Sequence, residues 1–291
     1  MSRISIVGGI IMDIKGLPFA GALLHNSNAG QITYTSGGVG RNIAENLARL
    51  DVPVSMYGVV GDDLFGERLV SEGEALGIDM SGVLTKAGFR TAVDLGILQE
   101  DGDLWVSVTE LSITEQLRVE DLASRKAIGI AERLFDADYL IVDANLSVEV
   151  LQYLLTEANR RKIPFIIDPV TIQFTAKLNV LEGDIFIATP NRREAAQITR
   201  DVDKLLISCG EEGCISQLGT KSQLIPAIPV EKMVDSTGAG DAFLAGMVAG
   251  LYYQQDWETS IRWGHACAAL TIQTDRNVRA DMSREKLQEL L

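Results

Sequence analysis

The spacing of apolar residues divides the chain into two textures. From residue 111 onward, amphipathic stretches alternate with short aliphatic runs. A helix over Arg118–Leu134 leads to a strand at Tyr139–Val142. A helix over Val148–Arg160 leads to a strand at Pro164–Ile167, and further strands fall at Asp184–Ala188 and Leu205–Ser208. Repeated strand–helix units of this kind predict a mostly parallel sheet with right-handed crossovers. In such sheets ligands bind outside the C-terminal ends of the strands. The chain places polar groups there: Asp143-Ala-Asn145, Asp168-Pro169 and Thr189-Pro-Asn-Arg-Arg-Glu194. That is more polarity than core packing requires.

The first hundred residues read differently. Ile4–Val7 is a buried strand feeding a loop at Gly8-Gly9. Asp13 follows among aliphatics, where an unpartnered carboxylate is costly to bury. It is therefore a turn residue or a ligand for hydroxyl groups. Residues 16–36 are polar and alternate weakly, the pattern of exposed β-structure. Thr91–Leu98 and Leu104–Val108 alternate around Glu100-Asp-Gly-Asp103 and predict a hairpin with Gly102 in its turn. Between these segments, Ser36-Gly-Gly-Val-Gly-Arg-Asn-Ile-Ala44 opens a helix with Ile43, Leu47 and Leu50 on one face. Val54–Val60 is a second strand. The acids of Gly61-Asp62-Asp63-Leu-Phe-Gly66 read as caps of the helix that follows.

The richest chemistry lies in Asp235-Ser-Thr-Gly-Ala-Gly-Asp-Ala-Phe243. Gly238, Ala239 and Gly240 form a turn of small residues whose amides can converge on one point. The apolar run Asp241–Leu251 puts a helix N-terminus at that turn, a ready anion site. Asp241 is then a helix cap or a base beside a bound phosphate. Capping alone does not call for two glycines, an alanine and a second acid at Asp235. Elsewhere, Cys209-Gly210-Glu-Glu-Gly213 forms a Gly-X-X-Gly turn after a strand. His265 sits on a small-residue helix, Gly264–Leu270, and a charged helix begins at Ser283.

Composition narrows the partners. In 291 residues, 26 basic against 40 acidic side chains give a net charge of −14. That argues against nucleic acid or an anionic membrane surface as a partner, though not against a phosphorylated small molecule. Cys209, Cys214 and Cys267 lack metal-type spacing and read as buried thiols in a reducing cytoplasm. No segment approaches a membrane span, and no signal-type run opens the chain. These features predict a soluble cytoplasmic protein. Gly-X-X-X-X-Gly-Lys-Ser/Thr does not occur, so this is not a P-loop nucleotidase.

The stretch 235–243 resembles the C-terminal signature of the ribokinase-like (PfkB) carbohydrate and nucleoside kinases. Gly37-Gly-Val-Gly-Arg-Asn42 resembles their N-terminal signature, and the likeness covers essentially the whole chain. The resemblance implies one domain over residues 1–291, a three-layer α/β/α fold with a mostly parallel central sheet. A small β lid is implied from about 16–36 and 90–109. It implies that ATP is the phosphoryl donor, that Asp241 is the base, and that Gly238, Ala239 and Gly240 form the anion hole. Asp13, Gly38, Asn42 and Asn145 are the implied substrate contacts. Asn191 and Glu194 match the family's Asn-X-X-Glu motif, which orders Mg²⁺ through water. Ser208, Gly210, Gly213 and His265 fall on the nucleotide side. Asp235 and Thr237 match ligands of a monovalent ion, so K⁺ activation is expected, and relatives with this lid pair through it into homodimers. Where ribokinases carry a lysine this chain has Val39, and where they carry an acidic sugar contact it has Asn145. With Asp143-Ala-Asn-Leu-Ser147 and Thr189-Pro-Asn-Arg-Arg-Glu194, these features are most similar to the branch that phosphorylates pseudouridine. A ribokinase, another sugar or nucleoside kinase, and a catalytically idle ligand sensor are the alternatives. The intact Asp241, Gly238, Gly240 and Glu194 argue against the last.

Overall fold

Successive residues of the central strands point into two separate cores, and this sets the layering. In β1 (Ile4–Val7), Ile4 and Ile6 enter one core and Val7 the other. In β8 (Tyr139–Asp143), Ile141 joins the first and Leu140 and Val142 the second. β9 (Phe165–Asp168) divides in the same way, with Ile166 opposed to Phe165 and Ile167. A strand buried on both faces is mostly apolar, which explains runs such as Leu140-Ile-Val142. The computed structural model describes residues 3–100, 104–123 and 129–291.

The remaining strands are β2 (Ile11–Pro18), β3 (Gly30–Gly37), β4 (Val54–Gly61), β5 (Asp79–Lys86), β6 (Ala92–Leu98), β7 (Leu104–Glu110), β10 (Ile187–Ala188), β11 (Lys204–Ser208), β12 (Cys214–Leu218) and β13 (Lys221–Ile225). Among the described residues, nine of the thirteen strands form one sheet in the order β13-β12-β11-β10-β9-β8-β1-β4-β5. From β5 to β11 every pairing is parallel, and only β12 runs against its neighbours. Helices α1 (Val39–Arg49), α2 (Leu64–Ala75), α8 (Ala239–Tyr252) and α9 (Trp257–Thr271) pack with the first core. Helix α5 (Val148–Arg161) buries Val150, Leu151, Leu154 and Leu155 in the second. Shorter helices are α3 (Val119–Ala123), α4 (Ile130–Leu134), α6 (Ile172–Leu178), α7 (Arg192–Ala195) and α10 (Arg284–Gln288). Among the described residues, no helix is long and apolar enough to cross a membrane. The three cysteines are free and buried.

A second sheet of four strands, β3-β2-β6-β7, stands apart as the lid. Its registers place Tyr34, Ile14, Leu95 and Val108 in one row and Ile32, Gly16, Ile97 and Val106 in the next row but one. The rows between carry Thr35, Asp13, Asp94 and Thr109, then Thr33, Lys15, Gly96 and Ser107. Because side chains alternate across a strand, one lid face is apolar and the other polar.

Several sequence expectations change. Asp13 is not in a turn: β2 starts at Ile11, and the lid strand carries the aspartate. The predicted strand Asp184–Ala188 contracts to Ile187–Ala188. Its first residue is held instead by Asn159, whose Oδ1 accepts from the Asp184 amide at 2.7 Å and whose Nδ2 donates back to the Asp184 carbonyl. The helix expected over 118–134 is helical at Val119–Ala123 and Ile130–Leu134, and its middle lies outside the described residues. So does Gly102 of the predicted hairpin turn. β5, β12, β13 and α6 were not anticipated. β5 and β13 are sheet edges, where polar residues interrupt the aliphatic signal.

Candidate active site

The turn before α8 is folded by its own side chains. Asp235 Oδ1 accepts from the Thr237 amide at 2.8 Å and from Thr237 Oγ1 at 2.7 Å. Gly238 caps the helix at φ 79°, a left-handed conformation, and a Cβ there would lie 2.0 Å from the Asn277 carbonyl oxygen. Only glycine fits both demands. A Cβ on Gly240 would meet nothing within 4 Å, so the space over the helix end is open. The Ala239 amide donates to the Ser236 carbonyl at 3.2 Å. It is therefore already engaged, and among the described residues the amides of Gly238, Gly240 and Asp241 have no backbone partner.

Asp241, in the first turn of α8, accepts from Asn42 Nδ2 at 2.8 Å. The Asn42 amide is buried, and its Oδ1 has no partner among the described residues. A buried acceptor without a donor costs free energy, and a hydroxyl arriving beside Asp241 would supply one. Burial pushes the Asp241 carboxyl well above the usual range, and the charges of Asp168, Asp143 and Asp13 add to this. The Asn42 bond opposes the shift without cancelling it. An elevated carboxyl in a pocket is suited to exchanging a proton.

Asp13 approaches from the lid. Its Oδ2 accepts from Asn277 Nδ2, and burial raises its pKa to about 6 despite that bond. Gly37 leaves room for this carboxylate: a Cβ there would sit 2.1 Å from Asp13 Oδ2 and displace it. Gly38, at φ 97°, lies against the Gly9 carbonyl, where a Cβ would be 2.4 Å away. The glycines of this signature therefore let α1 press against the β1–β2 turn and the lid strand. Asp143 ties these parts together: Oδ2 accepts from the amides of Gly9 at 2.7 Å and Gly40 at 3.0 Å. Oδ1 accepts from the Asn145 amide at 3.1 Å. Burial raises its pKa as well, so it is a clamp that holds the start of α1, and hence Asn42, in place. Asn145 is buried next to it.

Across the sheet, Asn191 and Glu194 form a capping box on α7. Asn191 Oδ1 accepts from the Arg193 and Glu194 amides, and Glu194 Oε2 accepts from the Asn191 amide at 2.9 Å. Glu194 is buried there, and its charge helps push Asp168 to about 7, after the larger effect of burial. Thr189 Oγ1 donates to Asp168 at 2.9 Å. Asn191 pairs as an isolated bridge with Ser208, at the end of β11. The turn Gly210–Gly213 is pinned by Arg192, whose two Nη atoms each reach a Glu212 oxygen at 2.7 Å and whose Nε meets Cys209 Sγ at 3.2 Å. His265 is buried, its ring 5.1 Å from Phe243. Burial, the largest effect, lowers its pKa to about 4, so the imidazole is neutral.

The structure thus gathers Asp13, Asn42, Asn145, Asp241 and the glycine turn into one region, with Glu194, Asn191 and Ser208 flanking it. Asp235 is set behind the turn, where Lys15 Nζ reaches its Oδ2 at 3.0 Å. Asp143 and Asp168 were marked by sequence as polar strand ends without a role, and Asn277 and Lys15 were given no place at the site. Asp143 and Asp168 end strands, which signalled them. Nothing local signalled that Asn277 and Lys15 would reach across the chain.

Residues 1–279 match the pfkB family of carbohydrate kinases. An uncharacterized sugar kinase, YeiI, of Escherichia coli is 30% identical over 91% of this chain and 77% of its own length. The pseudouridine kinase of E. coli is 26% identical, covering 96% of this chain and 93% of its own. A ribokinase of Bacillus subtilis is also 26% identical, over the full length of both. Among solved structures, a carbohydrate kinase from Agrobacterium tumefaciens superposes with a TM-score of 0.87 at 25% identity, covering 100% of this chain and 97% of that one.

Proposed function

The chain belongs to the pfkB family of carbohydrate kinases, and from that premise we propose that it transfers the γ-phosphoryl group of ATP to the 5′-hydroxyl of pseudouridine. That it is a sugar or nucleoside kinase, with ATP as donor, follows from the family. The observation that carries the reaction is the Asn42–Asp241 pair at 2.8 Å with Asn42 Oδ1 left open. A substrate hydroxyl placed there gives its proton to Asp241 while its oxygen bonds to the γ-phosphorus. The bond from that phosphorus to the ADP oxygen breaks, and ADP leaves. The amides of Gly238, Gly240 and Asp241 meet the charge on the equatorial oxygens. Most of the rate enhancement comes from positioning and fixed dipoles.

The residues fit a hard divalent cation held through phosphate and water. Asp168 and Glu194 repel one another, and among the described residues neither is paired with a basic side chain. Mg²⁺ would supply charge neutralisation between the β and γ phosphates. Asp235 and Thr237 would hold the monovalent ion, with Lys15 already beside one Asp235 oxygen. The nucleotide's base is assigned to the side of Ser208, Gly210, Gly213 and His265. The lid is assigned a second role in dimer formation: Leu95, Leu104, Val106 and Val108 are each more than 40% exposed, an apolar surface that suits a second copy.

Pseudouridine is favoured by the neutral wall. Val39 packs against the core, and Asn145 is an uncharged amide where a bare sugar's partner would be acidic. A site that hydrogen-bonds the base rejects acceptors that leave those groups unpaired. The test is kcat/KM for pseudouridine, uridine, adenosine and ribose, expected to fall from pseudouridine to uridine and then to ribose. Preferential phosphorylation of ribose would favour the ribokinase reading, which the full-length likeness to a ribokinase keeps open.

A further inference from the structure

A cavity of about 380 Å³ lies between α1, β3, α2 and the loop at 276–278, and Asp241 is not among its lining residues. Four arginines line it, Arg41, Arg49, Arg68 and Arg276, against two glutamates, Glu45 and Glu72. That is local positive charge in a chain of net −14. The glutamates are fully used. Glu45 takes Arg41 Nη1 at 2.7 Å on one oxygen and Arg49 Nε and Nη2 on the other. Glu72 takes Arg68 Nε at 2.7 Å and the Ser36 hydroxyl.

The arginines are not fully used. Among the described residues, the exposed Arg276 makes no side-chain hydrogen bond or ion pair, and Arg68 commits only Nε. Arg41 is 1% exposed, its Nη2 comes no nearer than 3.9 Å to Glu72, and its Nε has no acceptor. A buried guanidinium with unmet donors is expensive to keep. The rest of the wall has an apolar part, Ala75, Leu76 and Val278, and a polar part from Tyr34, Thr35, Ser36 and Asn277.

We propose that this cavity is a second ligand site, for a small phosphomonoester whose phosphate is forked by Arg68 and Arg276 over Arg41. Guanidinium groups match tetrahedral phosphate oxygens with paired N–H donors, and the apolar wall takes the organic part. Asn277 connects this site to the catalytic one. It lines the cavity, donates to Asp13, and places its carbonyl against Gly238. A ligand that fixes the loop at 276–278 therefore fixes a substrate contact and the anion turn together, so occupancy changes acceptor affinity.

The probes are inorganic phosphate and glycerol 3-phosphate. Each is titrated calorimetrically into protein saturated with Mg²⁺ and a non-hydrolysable ATP analogue, so that the nucleotide's phosphate positions are filled. One molecule is expected to bind per chain, and the double variant R68A/R276A is expected to weaken binding by about tenfold or more, equal to 1.4 kcal/mol or more. The variant should keep the wild-type kcat without ligand, since both side chains are at the surface. Glycerol 3-phosphate should shift the acceptor KM in wild type and not in the variant. No binding to wild type at millimolar concentration, or equal binding to the variant, overturns the site. Binding with an unchanged acceptor KM overturns the coupling. The calorimetry does not depend on which acceptor is phosphorylated, so it stands apart from the pseudouridine assignment.

Discussion

Replacing Asp241 by asparagine is the most direct test of the assigned chemistry. The substitution is nearly isosteric and keeps the local bond, because the new amide oxygen can accept from Asn42 Nδ2 as Oδ2 does at 2.8 Å. It also removes a charge that Asp168, Asp143 and Asp13 all oppose. Substrate binding and folding should therefore survive. What disappears is the group that takes the proton. A positioned base is worth about 10²–10⁴-fold in rate, or about 3–5 kcal/mol of barrier. kcat should fall by that factor in a coupled ADP-release assay, with KM changed by only a few fold. The wild type should also show an acidic limb. Asp241 must be ionised to act, and its pKa lies well above the ordinary value, so kcat/KM should rise with pH through that elevated pKa and then level. In Asp241→Asn this limb should vanish. A variant within tenfold of wild type refutes the base. A limb that persists with the same midpoint would belong to Asp168, near 7, or Asp13, near 6.

Three further expectations follow from the same geometry. Lys15→Met removes the ammonium from Asp235, whose carboxyl burial would raise but which the Thr237 and Lys15 bonds hold below its usual range; the variant's rate should depend more steeply on K⁺, and equal K⁺ curves would count against a cation site there. Asp168 binds a proton more readily folded than unfolded, so the native state is favoured at low pH and loses that advantage as pH rises from about 4 toward about 7; melting curves between pH 5 and 8 should fall less for Asp168→Asn than for wild type, and parallel curves would refute the shift. Val108→Asp places a charge on the exposed apolar lid face and should convert a dimer to a monomer in light scattering, whereas a wild type that is already monomeric at micromolar concentration would rule out lid pairing.

The order of strands and helices around the parallel sheet was legible because strands buried on both faces leave a simple mark, a short, mainly apolar run such as Leu140-Ile-Val142 or Phe165-Ile-Ile167. The anion turn was legible because glycines at a helix start have few other uses. β12 and β13 were not, since their exposed positions carry Gln, Ser and Lys and break the pattern. For Asp13 the sequence left a turn residue and a hydroxyl ligand open, and the turn falls away because one strand serves both core and lid: Met12 is fully buried and Asp13 follows it in β2. Lys15–Asp235 and Asn277–Asp13 join residues more than 200 positions apart, and no local pattern encodes a contact of that range.

The strict alternation of the lid limits how such an enzyme can change over evolutionary time. Asp13 and Lys15 share a face with Thr33, Thr35, Asp94 and Thr109, while the rows between them face outward. One residue inserted after Met12 would flip β2 against its partners, presenting Ile14 to the polar face and Lys15 to the apolar one. Length changes are tolerable only beyond the strands, in 19–29 and after Leu98. New acceptors should therefore be acquired by point substitution along the polar rows and by resizing those two loops. Descendants with altered substrate range would keep the spacing of Asp13 and Lys15 while the loops diverge.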